Sequence, residues 1–253
     1  MKTNLIPTMR ELHLAGAVST LEVRLQEAAA NRLSHEEFLE LLLKDEINIR
    51  TDRRVSKRIK AACFAGTKTL EDFNWEFNTS INRKLVFDLA SCDFIRKSGD
   101  VLFIGPPGVG KSHLAQAIGI QAIKMGLTVY YRSIFDLVRD FLEDEAFAGE
   151  DKVLKKYLSC ELLIIDDMGL RQLPKRSGEY LFEVIMRRHE KRSTIMTSNR
   201  PLDEWGKLIG DVPTAGAILD RFLQNAETVN ITGRSHRLKD KAVEKTREKK
   251  EGV

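Results

Sequence analysis

The sequence predicts an α/β fold, a parallel five-stranded sheet covered by helices, preceded by a small all-helical domain. Three observations predict it. From Asp100 onward, short apolar runs alternate with helix-like runs, the pattern of a parallel sheet with helices on its faces. The first of these runs, Val101 to Ile104, leads directly into Gly105-Pro106-Pro107-Gly108-Val109-Gly110-Lys111-Ser112, a complete phosphate-binding loop between a strand and a helix. Residues 11–64, by contrast, show helical periodicity and no strand pattern, with Gly16 as the interruption. The expected domains are therefore residues 1–65, helical, residues 66–238, α/β, and residues 239–253, a charged tail.

In the N-terminal region Leu21, Leu25 and Ala28 follow helical spacing. Ser34-His35-Glu36-Glu37 has the form of a capping box ahead of Phe38, Leu41, Leu42 and Leu43. A last helix is expected from about Lys44 to Ala62. On it Arg50, Arg53, Arg54, Lys57 and Arg58 recur at helical spacing and share one face, leaving Ile47, Val55, Ile59 and Ala62 to dock on the body. Gly66-Thr67 breaks the pattern and Leu70 to Phe73 begins a connector. Strands are expected at Val101 to Ile104, Thr128 to Arg132, Leu162 to Asp166, Thr194 to Thr197 and Thr228 to Ile231. The helices between them are expected near 111–125, 134–143, 151–159, 177–191 and 215–224.

Composition narrows the class. No apolar stretch approaches the roughly 20 residues of a membrane span, and Met1 to Arg10 has no secretion signal. Cys63, Cys92 and Cys160 stand far apart without metal-ligand spacing, as expected of reduced thiols in a cytoplasmic protein. The formal net charge is +4. Its distribution is the informative part: Arg50, Arg53, Arg54, Lys57, Arg58 and Lys60 face only Asp52, and residues 234–250 hold a second surplus, so the rest of the chain is net acidic. That asymmetry points to a polyanion partner.

The loop's chemistry follows from its residue types. Glycines let successive N–H groups turn inward on an anion, Lys111 adds charge for the outer phosphates, and the Ser112 hydroxyl is a Mg²⁺ ligand. The nucleotide-binding stretch is read as Gly105, Pro106, Pro107, Gly108, Val109, Gly110, Lys111, Ser112 and His113, for ATP with Mg²⁺. Leu162 to Asp167 is an apolar strand ending in two acids; Asp166 is assigned to the metal and Asp167 to polarising the attacking water. Ser193 to Asn199 has the same form and ends on an amide, so Asn199 is assigned to the γ-phosphate and that water. Transition-state charge calls for an arginine, often from across an interface; candidates are Arg187, Arg188, Arg192, Arg221, Arg234 and Arg237.

These motifs, with Thr69 to Phe73, Glu204-Trp205-Gly206, Ala217 to Arg221 and Gly233 to Lys239, resemble the IstB-type helper ATPases of insertion-sequence transposition. That family lies in the AAA+ superfamily, close to the DnaC helicase loaders. The resemblance implies that Arg221 is an arginine finger reaching a neighbouring subunit's ATP, and that Arg237 is a sensor arginine for the subunit's own nucleotide. It also implies a homo-oligomer with nucleotide at subunit interfaces, assembling on double-stranded DNA without sequence preference and delivering it to a partner transposase. The basic face bearing Arg50, Arg53, Arg54, Lys57 and Arg58 is the expected DNA contact. Two positions depart from the pattern: Asp167 stands where most AAA+ ATPases carry Glu, and His236 where the family commonly carries Tyr. A DnaC-like role, loading a replicative helicase onto single-stranded DNA, is the alternative function the resemblance allows.

Overall fold

The computed structural model describes residues 4–146, 152–169, 173–174 and 176–236. The chain divides into two compact units, residues 1–58 and residues 59–253, the division falling inside a helix.

The first unit holds α1 (Leu5–Glu11), α2 (Ala15–Asn31) and most of α3 (His35–Ala61). The capping box forms as expected: Glu37 N donates to Ser34 Oγ at 3.2 Å and Ser34 N to Glu37 Oε2 at 2.7 Å. What differs is the helix it opens, which runs unbroken to Ala61 instead of restarting near Lys44. The physical reason is that no Gly or Pro lies between His35 and Ala61, while Glu, Leu, Lys and Arg dominate.

Gly16 lets α2 meet α3, since a Cβ there would stand 2.8 Å from Glu46 Oε2 and 3.0 Å from Glu46 Cα. Glu46 is buried, accepting from Ala17 N at 2.9 Å and Arg50 Nε at 2.6 Å. Burial would raise its pKa, but these donors outweigh burial and hold the carboxyl below its usual range. Met9, Ala17, Leu21 and Leu42 form the apolar centre, with Leu14, Val18 and Phe38 packed on it. Leu25 is 50% exposed, and Ile47, expected to dock on the body, is 62% exposed.

In the second unit come α4 (Arg83–Ala90), α5 (Asp93–Arg96), β1 (Asp100–Ile104), α6 (Lys111–Lys124), β2 (Val129–Ser133), α7 (Ile134–Ala146) and α8 (Lys152–Ser159). They are followed by β3 (Leu162–Met168), α9 (Ser177–Arg188), β4 (Ser193–Ser198), α10 (Trp205–Ile209), α11 (Val212–Gln224) and β5 (Ala226–Asn230). Among the described residues the strands form one parallel five-stranded sheet, ordered β2-β3-β4-β1-β5. Elements lie close to their expected ranges. The last helix starts earlier, at Val212, because Pro213 suits a helical first turn.

Every residue of β4 is buried, as its central position requires. The core on one face of the sheet gathers Leu137, Phe141, Tyr157, Leu181, Trp205 and Phe222. The order places the carboxyl ends of β1, β3 and β4 side by side, the edge where ligands bind in parallel sheets. No helix among the described residues is long and apolar enough to cross a membrane.

The opposite edge is closed by Arg188, one of the arginines considered for transition-state charge. It is 1% exposed, and its guanidinium donates to Tyr157 O at 2.8 Å, Cys160 O at 2.9 Å and Thr194 Oγ1 at 3.1 Å. It is a structural clamp, not a finger. Beside it the buried Asp100 carboxyl accepts from Thr194 N at 2.6 Å, and burial pushes its pKa up to about 7. Between roughly pH 4 and pH 7 the folded protein therefore keeps a proton that the unfolded chain releases. This contribution to stability is full below that window and is lost as pH rises through 7. Asp100→Asn keeps the acceptor and removes the titration. Denaturant unfolding from pH 5 to 8 should show the variant gaining on the wild type as pH rises, by at most about 3 kcal/mol.

Candidate nucleotide-binding site

β1 delivers the loop. At Gly105 a Cβ would lie 2.0 Å from Ile231 O, and Gly108 and Gly110 adopt φ of +80° and +106°, a region that side chains disfavour. Gly110 caps α6, whose first residues, Lys111, Ser112 and His113, line a cavity of about 530 Å³. A helix N-terminus of 14 residues, aimed at a glycine-built loop, favours an anion there.

Lys111 is 4% exposed, and its Nζ donates to Gly105 O at 2.7 Å, Pro106 O at 2.8 Å and Asn199 Oδ1 at 2.6 Å. The loop and the end of β4 are thereby joined through one cation. Ser112 Oγ donates to Asp166 Oδ1 at 2.8 Å, which joins the loop to the end of β3. The expected P-loop lysine, hydroxyl, acid and amide are thus assembled in one place.

Asp166 is 1% exposed. Besides Ser112, its Oδ1 accepts from Asp167 N at 2.9 Å and from the Thr197 hydroxyl, and its Oδ2 accepts from the Tyr131 hydroxyl. Burial, and then the charge of Asp166, push the Tyr131 phenol far above its ordinary pKa, so it remains a donor. Tyr131 and Thr197 had no assigned role in the sequence, since nothing in an apolar strand marks which hydroxyl will meet a carboxylate on the neighbouring strand.

Successive strand residues point to opposite faces, yet both Asp166 and Asp167 line the cavity. The reason is a register irregularity between Ile165 and Met168, where Asp167 takes φ 65°. Its N–H is held by Asp166 Oδ1 and, at 3.2 Å, by Thr197 Oγ1. Left-handed backbone at a non-glycine residue is strained, and such strain gathers at functional sites. Ser112 and Asp166 offer oxygen donors only, and among the described residues no cluster of three or more His, Cys, Asp or Glu could hold a metal by itself.

The far wall was read as a connector. Gly66, Lys68, Phe73, Asn74 and Phe77 line the cavity there. Phe73 meets His113 edge-on at 5.0 Å, and the His113 Nε2 lies 2.7 Å from Thr69 O. His236 closes the same side, with its N donating to Gly108 O at 2.9 Å and its ring 4.7 Å from that of Phe77. An aromatic wall beside a phosphate loop suits a flat base. The signal was present in Thr69 to Phe73, where Phe73 ends the motif.

The sequence profile described as IstB-like ATP binding protein matches residues 7–244. The chain belongs to that family. It is 36% identical over 237 residues to the ATP-binding protein of insertion sequence IS21 from Pseudomonas aeruginosa, covering 94% of this chain and 88% of that one. It is 34% identical over 249 residues to the counterpart of insertion sequence IS5376 from Geobacillus stearothermophilus, covering 98% and 99%. The crystal structure of the DnaC helicase loader shares the fold, with a TM-score of 0.53 and 24% identity over 69% of this chain and 99% of that one. The chain is thus an IstB-like ATP-binding protein, similar to those of insertion sequences.

None of the remaining assigned residues that are described lines this cavity. Arg221 is exposed on α11 and makes no ion pair among the described residues. Of the other candidates, Arg187 pairs with Glu183 at 2.7 Å, and Arg192 and Arg234 are exposed. Arg237 and the charged tail lie outside the described residues. On α3, Arg53, Arg54 and Lys57 are exposed and Arg58 is half-buried. Arg50 differs: it binds Glu46 and donates to His13 O at 2.8 Å, holding the helical unit together.

Lys111→Ala removes the cation shared by the loop and Asn199. ATP affinity, measured by equilibrium dialysis, should fall about 10- to 100-fold, the worth of charge-assisted hydrogen bonds, with the far-ultraviolet circular dichroism unchanged.

Proposed function

We propose that this protein is an ATP-switched ATPase that assembles on duplex DNA, shares nucleotide between neighbouring copies and presents the DNA to the transposase of its insertion sequence. The observation that carries the shared site is a missing charge. Among the described residues lining the cavity there are Lys68 and Lys111 but no arginine. Phosphoryl transfer to water gathers charge on the equatorial oxygens, and an arginine finger commonly meets it. Exposed and unpaired among the described residues, Arg221 is the residue this reading assigns to a neighbour's nucleotide.

The chemistry divides among named groups. Lys111 binds the outer phosphates, Asp167 draws a proton of the attacking water, and Asn199 holds that water in line with the γ-phosphate. Ser112 and Asp166 would hold Mg²⁺, whose habit of taking few protein oxygens and completing its shell with water and phosphate suits this donor set. When bound, the ion supplies neutralisation between the outer phosphates. Arg237 is assigned to the same subunit's nucleotide by the family pattern.

The exposed Arg53, Arg54 and Lys57, with the half-buried Arg58 beside them, would neutralise DNA phosphates without reading bases. The insertion-sequence origin of the relatives supports transposition as the setting, with the transposase as partner. A loader of replicative helicases would instead favour single strands.

Assembly on duplex DNA with a nonhydrolysable ATP analogue, followed by sedimentation, tests the shared site. Wild type should assemble and Arg221→Ala should not; undiminished assembly of the variant sinks it, and assembly on single strands alone favours the loader. For the DNA face, Arg53→Ala with Arg54→Ala should weaken binding to all sequences alike. The slope of log affinity against log salt should become shallower by about 2.

A further inference from the structure

We propose that Tyr131 is a positioning residue for the nucleotide-bound metal: its hydroxyl sets the Asp166 carboxylate so that one oxygen is left to serve the ion and its waters. The inference rests on the Mg²⁺–ATP reading of the site. Asp166 Oδ1 is crowded, accepting from Ser112 Oγ, Asp167 N and the Thr197 hydroxyl. Among the described residues Oδ2 has one hydrogen-bond donor, Tyr131. A carboxylate oxygen has about two lone-pair sites, so one donor on Oδ2 fixes the plane of the group and leaves a direction free. Asp166 and Tyr131 both line the cavity, so that direction is available to a ligand there.

Tyr131 is itself held from three sides, as a positioning group must be. Register in the sheet pairs it with Ile164 on β3, two residues before Asp166. Its backbone N–H, on the edge strand, donates to Ala62 O at 2.8 Å. Its ring lies against Phe64 at 5.8 Å, and Phe64 in turn fits over Gly119 of α6, where a Cβ would stand 3.0 Å from Phe64 Cζ. The neighbouring Tyr130 belongs instead to the core on the opposite face, packed edge-on against Tyr157 at 5.2 Å. One tyrosine of the pair builds the core and the other reaches the acid.

Tyr131→Phe keeps the ring and its packing on Phe64 and removes only the hydroxyl. The test is binding of a fluorescent ATP analogue, first in EDTA and then across a Mg²⁺ titration. Affinity in EDTA should stay within about twofold of wild type, while the Mg²⁺ concentration giving half-maximal tightening should rise about 10-fold, the usual cost of removing a residue that orients a metal ligand. A midpoint equal to wild type overturns the proposal and leaves the Mg²⁺–ATP reading standing. Equal losses in EDTA and in Mg²⁺ also overturn it, because the tyrosine would then support the site's shape and not the metal. A wild type indifferent to Mg²⁺ overturns the underlying reading, and the proposal with it. Should Tyr131→Phe not fold, Phe64→Leu carries the test: it loosens the ring while keeping the hydroxyl, and must raise the Mg²⁺ midpoint in the same direction.

Discussion

A carboxylate as buried as Asp166 is tolerated only when its oxygens are met by donors, because an unpaired charge in a low-dielectric interior costs several kcal/mol. Here the donors come from separate pieces of chain: Ser112 on α6, Thr197 on β4, Tyr131 on β2 and the backbone N–H of Asp167. No subset of these is local in sequence except the last. Satisfying the acid therefore requires β2, β3 and β4 to be neighbours in that order, with α6 crossing above them. The same carboxylate that would serve the metal also rewards the correct sheet.

That constraint has a second consequence at Asp167. An ordinary strand would send one of two adjacent acids into the core, where it would be unpaired. The left-handed turn at Asp167 costs on the order of 1–3 kcal/mol, and the hydrogen bonds from its N–H to Asp166 and Thr197 offset it. Both acids then meet the cavity. Strain at this point places Asp167 beside Asp166 on the cavity wall.

The helical unit shows a quieter version of the same economy. Gly16 lets α2 approach α3 closely enough for Ala17 N to reach Glu46, and Arg50 completes the pair. Glu46 thus engages one cation of the basic stretch, Arg50, while Arg53, Arg54 and Lys57 stay exposed. α3 runs unbroken from His35 to Ala61. In the second unit, Ala62 and Phe64 close the edge of β2 at Tyr131.

Local signals carried much of this chain's description. The spacing of glycines, the alternation of apolar and helical runs and the capping box each depend on a few adjacent residues, so the phosphate loop, the parallel sheet and the start of α3 were legible before any coordinates. Asp166, Lys111 and Asn199 were legible too, since each ends or follows a strand in a recognised motif. Tertiary structure alone decided the rest. Whether Arg188 would be a surface finger or a buried clamp depended on carbonyls of Tyr157 and Cys160 far away in sequence. Whether Tyr131 or Tyr130 would meet the acid depended on which face of β2 turned toward α6. Which residues would line the far side of the cavity depended on the connector folding back over His113. A pattern in sequence states what a residue can do; only the packing of distant strands states what it is beside.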